Sequence, residues 1–188
     1  MVITLRLAVP LFLLYVPLAA PLDALAVPIT YTITGNANIT FGGGRNGDTP
    51  FTIRALGDTA NIVGNSIRTL ENIVAKVLVD GFPEATFTNN FHLRVNNANS
   101  MLTFGGVGDA SIELSHPTFS SYNLATNHGP VFFSGVLRNG LIRQQPTTSG
   151  QIILAEIRNV TFTAAVPEPS GLVPFAIAMA WLFGRRRH

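Results

Sequence analysis

The stretch from residue 27 to 165 predicts an all-β fold, an antiparallel β-sandwich of jelly-roll-like type, set between an N-terminal signal peptide and a short C-terminal transmembrane helix. Three observations carry this reading. Apolar residues alternate with Thr, Asn and Arg, the period of a strand with one buried face. Glycine–aspartate turn signals recur at short, regular spacing, as in sandwiches and barrels. Thr, Asn and Gly are abundant, whereas Lys76 is the only lysine.

The first strand opens the body: Ile29, Tyr31 and Ile33 face one way, and Thr30, Thr32 and Thr34 the other. Gly42-Gly43-Gly44 and Asn46-Gly47-Asp48 form a loop and turn, after which Phe51, Ile53 and Ala55 alternate with Thr52 and Arg54. Gly47-Asp48-Thr49 and Gly57-Asp58-Thr59 bracket that strand. Residues 66–79 fit two periods. Ile67, Leu70, Val74, Val77 and Leu78 make a helical face, while Ile73, Ala75, Val77 and Val79 make a strand. A strand over 72–79 is favoured, because Asp80-Gly81 follows as a turn and Ala85-Thr86-Phe87-Thr88 resumes β composition. Further strands are predicted at 90–96, 101–105, 110–115, 130–138, 151–157 and 159–165, with loops at 96–100 and 144–150. The total is roughly eight to ten strands.

Residues 1–26 read as a secretory signal peptide. Arg6 supplies the basic start, and the run from Leu7 to Ala20 is apolar and interrupted by Pro10 and Pro17. Ala24 and Ala26 place small residues at the two positions a signal peptidase reads, so cleavage is expected after Ala26, with Ala20 as a second point. The proline-broken run is too short for a stable span of about 20 residues.

At the other end, Val166-Pro167-Glu168-Pro169 precedes an uncharged stretch, Leu172 to Phe183, and then Arg185-Arg186-Arg187. A helix over 171–184 would rise roughly 20 Å, short of a ~30 Å hydrocarbon core. Such a segment suits a temporary anchor. The arginines are expected to stay on the cytoplasmic side, leaving everything before Val166 outside. Pro167 and Pro169 resist helix, so the motif is expected to be extended and accessible to a protease.

This order of motif, apolar segment and arginine cluster over residues 166–188 is similar to the PEP-CTERM sorting signal of exported bacterial proteins. The resemblance implies a partner, the integral-membrane cysteine transpeptidase exosortase, which would recognise Val166, Pro167, Glu168 and Pro169 while Arg185, Arg186 and Arg187 hold the orientation. It also implies transient residence in the inner membrane, then the periplasm, outer surface or extracellular matrix of a bacterium that makes exopolysaccharide or biofilm. The body resembles, more diffusely, the Thr/Gly-rich β-modules that often precede this signal.

Composition narrows the function of the body. Of the 12 Lys+Arg and 10 Asp+Glu, four arginines (Arg6, Arg185, Arg186, Arg187) and two acids (Asp23, Glu168) lie in the terminal segments, so the part between is formally neutral. The basic pI therefore gives no argument for nucleic-acid binding. With no cysteine, the fold stands on packing alone and offers neither a thiol nucleophile nor a cysteine zinc site.

Chemical motifs are sparse. His92 and Arg94 fall on the polar face of a strand, and His116 and His128 at strand ends, with no metal-ligand spacing among them. A zinc site would need all three histidines brought together by folding. Asp48, Asp58, Asp80 and Asp109 each adjoin a glycine and read as turn residues, with calcium binding as the alternative. Gly105-Gly106-Val107-Gly108-Asp109 lacks the Lys-Ser/Thr of a phosphate loop, and Ser134 lies outside a nucleophile elbow. Glu71, Glu84, Glu113 and Glu156 are scattered, so a glycosidase pair would have to be assembled by the fold. Asn38-Ile39-Thr40 and Asn159-Val160-Thr161 match a glycosylation pattern inside predicted strands and carry no argument.

The reading is a non-catalytic surface or matrix protein without a cofactor, structural or associated with exopolysaccharide; the alternative is a secreted hydrolase acting on extracellular glycans. Phe119 and Tyr122, in Phe119-Ser120-Ser121-Tyr122-Asn123, are the expected glycan contacts if their rings are exposed.

Overall fold

Alternation of apolar and polar residues becomes strand throughout the computed structural model, which describes residues 26–106 and 111–167. The strands are β1 (Pro28–Phe41), β2 (Gly44–Asp58), β3 (Ile62–Val63), β4 (Ile67–Val79), β5 (Ala85–Thr86), β6 (Phe91–Asn96), β7 (Met101–Gly106), β8 (Ser111–Ser115), β9 (His128–Val136), β10 (Gly140–Thr147) and β11 (Gly150–Ala165). Short 3₁₀ turns cover Thr59–Asn61 and Pro117–Ser120. Every ladder is antiparallel. Among the described residues no helix is long and apolar enough to cross a membrane.

The ladders run β1-β2-β4-β6-β7-β8-β10-β11, and β11 then pairs with β1, so the path closes on itself. β9 joins β11 beside β10. Closure removes the free edges that an open sheet would expose along those strands. The jelly-roll-like order expected from the sequence is corrected here. From β1 through β8 the ladder path follows chain order, with β3 and β5 as side pairings of β4. A jelly roll needs long crossovers, and the one excursion is the passage from β8 through β9 to β10.

The interior is one apolar cluster fed by the inward face of each strand. Phe91 stacks on Phe104 with ring centroids 4.8 Å apart and meets Phe87 at 4.6 Å. Each large side chain removed from water contributes about 1.5–3 kcal/mol, and a chain without disulfides depends on that sum. The outward face of β1 and β11 is threonine-rich, with Thr32 opposite Thr163 and Thr34 opposite Thr161.

The turn expected at Asn46-Gly47-Asp48 is part of β2, and residues 144–147, expected as loop, belong to β10. β4 and β11 are longer than predicted for one reason. β4 is buried at Leu70 and then at Ile73, Ala75, Val77 and Val79. The step of three marks a β-bulge between Leu70 and Ile73, with Asn72 in the left-handed region at φ 55°. β11 does the same twice: Leu154, Ile157 and Val160 are buried, with Glu156 and Asn159 both at φ 50°. What the sequence divides into strands 151–157 and 159–165 is one strand with two bulges. Opposite the second bulge lies Gly35 of β1, packed against Arg158, Val160 and Phe51.

Candidate functional site

The chain ends are brought together by the β1–β11 ladder. Thr30 stands opposite Ala165, so both ends leave the domain side by side. The N-terminal side is fastened at Val27, the first residue of the predicted body, and the C-terminal side at Val166, the first residue of the predicted tail motif. At the N-terminal side Ala26 is exposed, while the Val27 N–H donates to Thr59 Oγ1 at 3.1 Å and the Val27 carbonyl accepts from the Thr59 N–H at 3.0 Å. Thr59 is held in turn by its 3₁₀ turn, where Asp58 Oδ1 accepts from the Ala60 N–H at 2.9 Å. At the C-terminal side the Val166 N–H donates to Asn127 Oδ1 at 2.6 Å, and the Val166 side chain packs on the core. Pro167 is exposed. Ala24, Glu168, Pro169, Arg185, Arg186 and Arg187 lie outside the described residues.

Asn127 immediately precedes β9, whose first residue, His128, pairs with Ala164. Beneath this exit the segment from Ser115 to His128 folds inward. Asn97 Nδ2 donates to the carbonyls of Phe119 (2.7 Å) and Tyr122 (2.9 Å), drawing the segment down. Phe119 is 0 % and Tyr122 3 % exposed. Phe119 packs edge-on to Phe162, and Tyr122 stacks on His128 at 4.2 Å. The expectation that these two rings meet a glycan is therefore corrected: they fill the end of the core, and a buried ring has no face for a sugar.

The same packing produces a polar relay. His116 caps the Pro117–Ser120 turn, its Nδ1 accepting from the Thr118 N–H at 3.3 Å. Thr118 Oγ1 lies 2.9 Å from His116 Nδ1 and 3.2 Å from His128 Nε2. An accepting Nδ1 places the His116 proton on Nε2, so one consistent direction has His128 donating to the hydroxyl and the hydroxyl donating to His116. Burial lowers the His128 pKa from its ordinary value, and His116 lowers it further. Burial raises both tyrosine hydroxyls. Tyr31 donates to the Leu124 carbonyl at 2.6 Å, whereas the buried Tyr122 hydroxyl has no hydrogen-bond partner among the described residues.

Of the three histidines, folding links His116 and His128 through Thr118, while His92 lines a separate small groove with Glu71 and Asn90. Among the described residues no group of three acidic or histidine side chains could hold a metal. Asp48 pairs with Arg158 at 3.4 Å and Asp58 caps its turn, both local structural roles.

Two further surface grooves bear on the candidate chemistry. One, of about 580 Å³, is lined by Pro50, Phe51, Leu78, Asp80 and Phe82. The other, of about 460 Å³, is bounded by Glu113, Glu156, Arg138, Arg143 and Asn139. It joins two of the four glutamates that the sequence leaves scattered. Asn139 donates to Glu113 and Asn38 to Glu156, whose side chain is 64 % exposed. Glu84 instead pairs with Lys76. The aromatic that the sequence reading missed is Phe132, 71 % exposed on β9; the inward positions of Val131 and Phe133 were the signal for it.

No family model, curated protein or solved structure matches the chain.

Proposed function

We propose that the chain is an exported bacterial surface or extracellular-matrix protein, delivered by a signal peptide cleaved after Ala26 and sorted by a PEP-CTERM tail that exosortase processes. Its body, read as an antiparallel β-sandwich, is non-catalytic and structural or associated with exopolysaccharide. The tail holds the protein in the inner membrane by a short helix until it is cut. The observation that carries this reading is how the chain is held at residues 165–167. Among the described residues, Ala165 is the last of the β1–β11 ladder, Val166 is the last one held, and Pro167 is exposed. A ladder that closes by Ala165, with only Val166 of the motif held to it, supports removal of the tail beyond that point without loss of fold. The test is production in a bacterial host with and without exosortase, followed by intact-mass analysis. Loss of Arg185 to Arg187 only when exosortase is present is the expected result; retention in both hosts leaves a plain membrane anchor.

One observation favours a second reading, a secreted hydrolase: Glu113 and Glu156 line one groove. Glycan hydrolysis by the purified body that Glu113→Gln or Glu156→Gln abolishes would establish it.

A further inference from the structure

We infer that Asn127 is a positioning residue for C-terminal processing: it locks Val166 onto the domain, so that the bonds up to Val166 are withheld from a protease and the accessible peptide begins at Pro167. The inference rests on the proposal that the tail is processed.

The geometry makes the withholding specific. A protease takes its substrate as an extended strand and hydrogen-bonds the peptide backbone. Around residues 163 to 165 both edges of β11 are already occupied. Thr163 and Ala165 pair with Thr32 and Thr30 of β1, and Ala164 pairs with His128 of β9. At Val166 the ladder ends, and Asn127 takes over. Its Oδ1 accepts the Val166 N–H at 2.6 Å while the valine side chain sits against the core. Pro167 is the first exposed residue without such a tie, and proline has no N–H of its own to be held. Cleavage breaks one peptide bond. The tail leaves with a new amino terminus, and the carbonyl of the last retained residue passes as an acyl group to the enzyme's thiol, then to water or an acceptor amine. The lock places that retained residue at Pro167 or beyond.

Asn127 is exposed and its side chain serves Val166, so Asn127→Ala removes the acceptor without opening the core. Asn127→Asp keeps an acceptor oxygen and is expected to behave as wild type. Purified full-length chains are digested briefly with a non-specific protease, and the last residue of the resistant core is read by mass spectrometry. Thermal unfolding monitored by circular dichroism confirms that each variant is folded. The wild-type core is expected to end at Pro167 or later. Trimming past Val166 is expected to rise about fivefold in Asn127→Ala, which is ~1 kcal/mol at 1.4 kcal/mol per tenfold. Protein from an exosortase-bearing host is expected to show the same difference in its mature C-terminus. Identical core ends in wild type and Asn127→Ala, or wild-type trimming into Ala165, would overturn the lock. Retention of Arg185 to Arg187 in the host would instead overturn the sorting reading, and with it the role in processing, while the digest still reports on the lock itself.

Discussion

A Cβ placed on Gly35 would lie 2.9 Å from the backbone carbonyl oxygen of Arg158. Two features of the chain meet in that contact. The bulge at Asn159 pushes the β11 backbone inward between Arg158 and Val160, and β1 accommodates it by having no side chain there.

Gly35→Ala is therefore expected to destabilise the domain by about 1–3 kcal/mol, the range for forcing atoms into a packed interior. Gly35→Val is expected to do more harm, since Val160 Cγ2 and Phe51 Cε1 already stand 3.2 and 3.3 Å from the alanine Cβ position. Urea unfolding midpoints measure both. An alanine variant as stable as wild type would show that β11 can retreat.

The two buried tyrosines are expected to respond oppositely to loss of their hydroxyls. Tyr122→Phe removes a buried polar atom that has no partner among the described residues, so stability is expected to stay level or rise by ~1 kcal/mol. Tyr31→Phe strands the Leu124 carbonyl that the hydroxyl serves at 2.6 Å, and a loss of about 1–2 kcal/mol is expected. Equal effects from the two substitutions would contradict the hydrogen-bond assignment.

Acid is expected to weaken the fold. Burial lowers the pKa of His128, with His116 adding to it, and lowers that of His92, with Arg94 adding and Glu71 opposing. The unfolded chain takes up these protons near pH 6.5, while the folded chain binds them only at lower pH. The unfolded state then carries more bound protons in that window, so stability rises with pH through it. It is full above about pH 6.5 and is lost as pH falls toward the lowered folded values. Among the described residues the groups facing His128 are Tyr122, Phe119, Phe162 and Thr118, with His116 reached through the threonine, and none is a carboxylate that would compensate the new charge. Urea midpoints measured from pH 7.5 to 5 track this loss, and His128→Gln with His92→Gln is expected to flatten the slope.

The strand pattern was legible because burial on one face imposes a period of two, and Ile29, Tyr31, Ile33, Phe51, Ile53 and Ala55 obey it without interruption. Residues 66–79 were ambiguous for a physical reason. A bulge adds one residue, so Leu70 and Ile73 are spaced like neighbours on a helix although both lie in β4. The same step of three at Leu154, Ile157 and Val160 hid the continuity of β11. Left-handed positions at Asn72, Glu156 and Asn159 are occupied by ordinary residues, so no glycine announced the bulges. The inward fold of Phe119 and Tyr122 depends on Asn97, which reaches them across more than twenty residues. The Asn127–Val166 lock spans 39 positions. Contacts of that kind leave no local pattern. The proposed tail motif rests on consecutive residues, of which only Val166 and Pro167 are described.

Under the proposed sorting, the placement of both ends at one pole sets how an uncleaved protein would stand on a bilayer. The β1–β11 ladder runs from Thr30–Ala165 near the ends to Phe41–Ile152 at the far side, roughly 35 Å at 3.3 Å per residue. The Thr59–Asn61 turn lies at the pole of the ends, where Thr59 binds Val27, and the Thr147–Gly150 hairpin lies at the opposite pole. Replacing Pro167, Glu168 and Pro169 by alanine is expected to preserve export and block tail removal, because alanine favours helix where an extended peptide is recognised. The chain has no cysteine, so single labels are clean. In that variant a fluorophore on Ala60→Cys, an exposed position, is expected to be quenched by nitroxide-labelled lipid headgroups. One on Ser149→Cys, also exposed, is expected to escape quenching, since short-range quenchers in the headgroup layer do not reach across the domain. Both labels are expected to react with an impermeant thiol reagent added outside the inner membrane. Equal quenching at the two positions would show that the domain lies flat on the bilayer, and protection of both labels from the external reagent would show that the body is not exported.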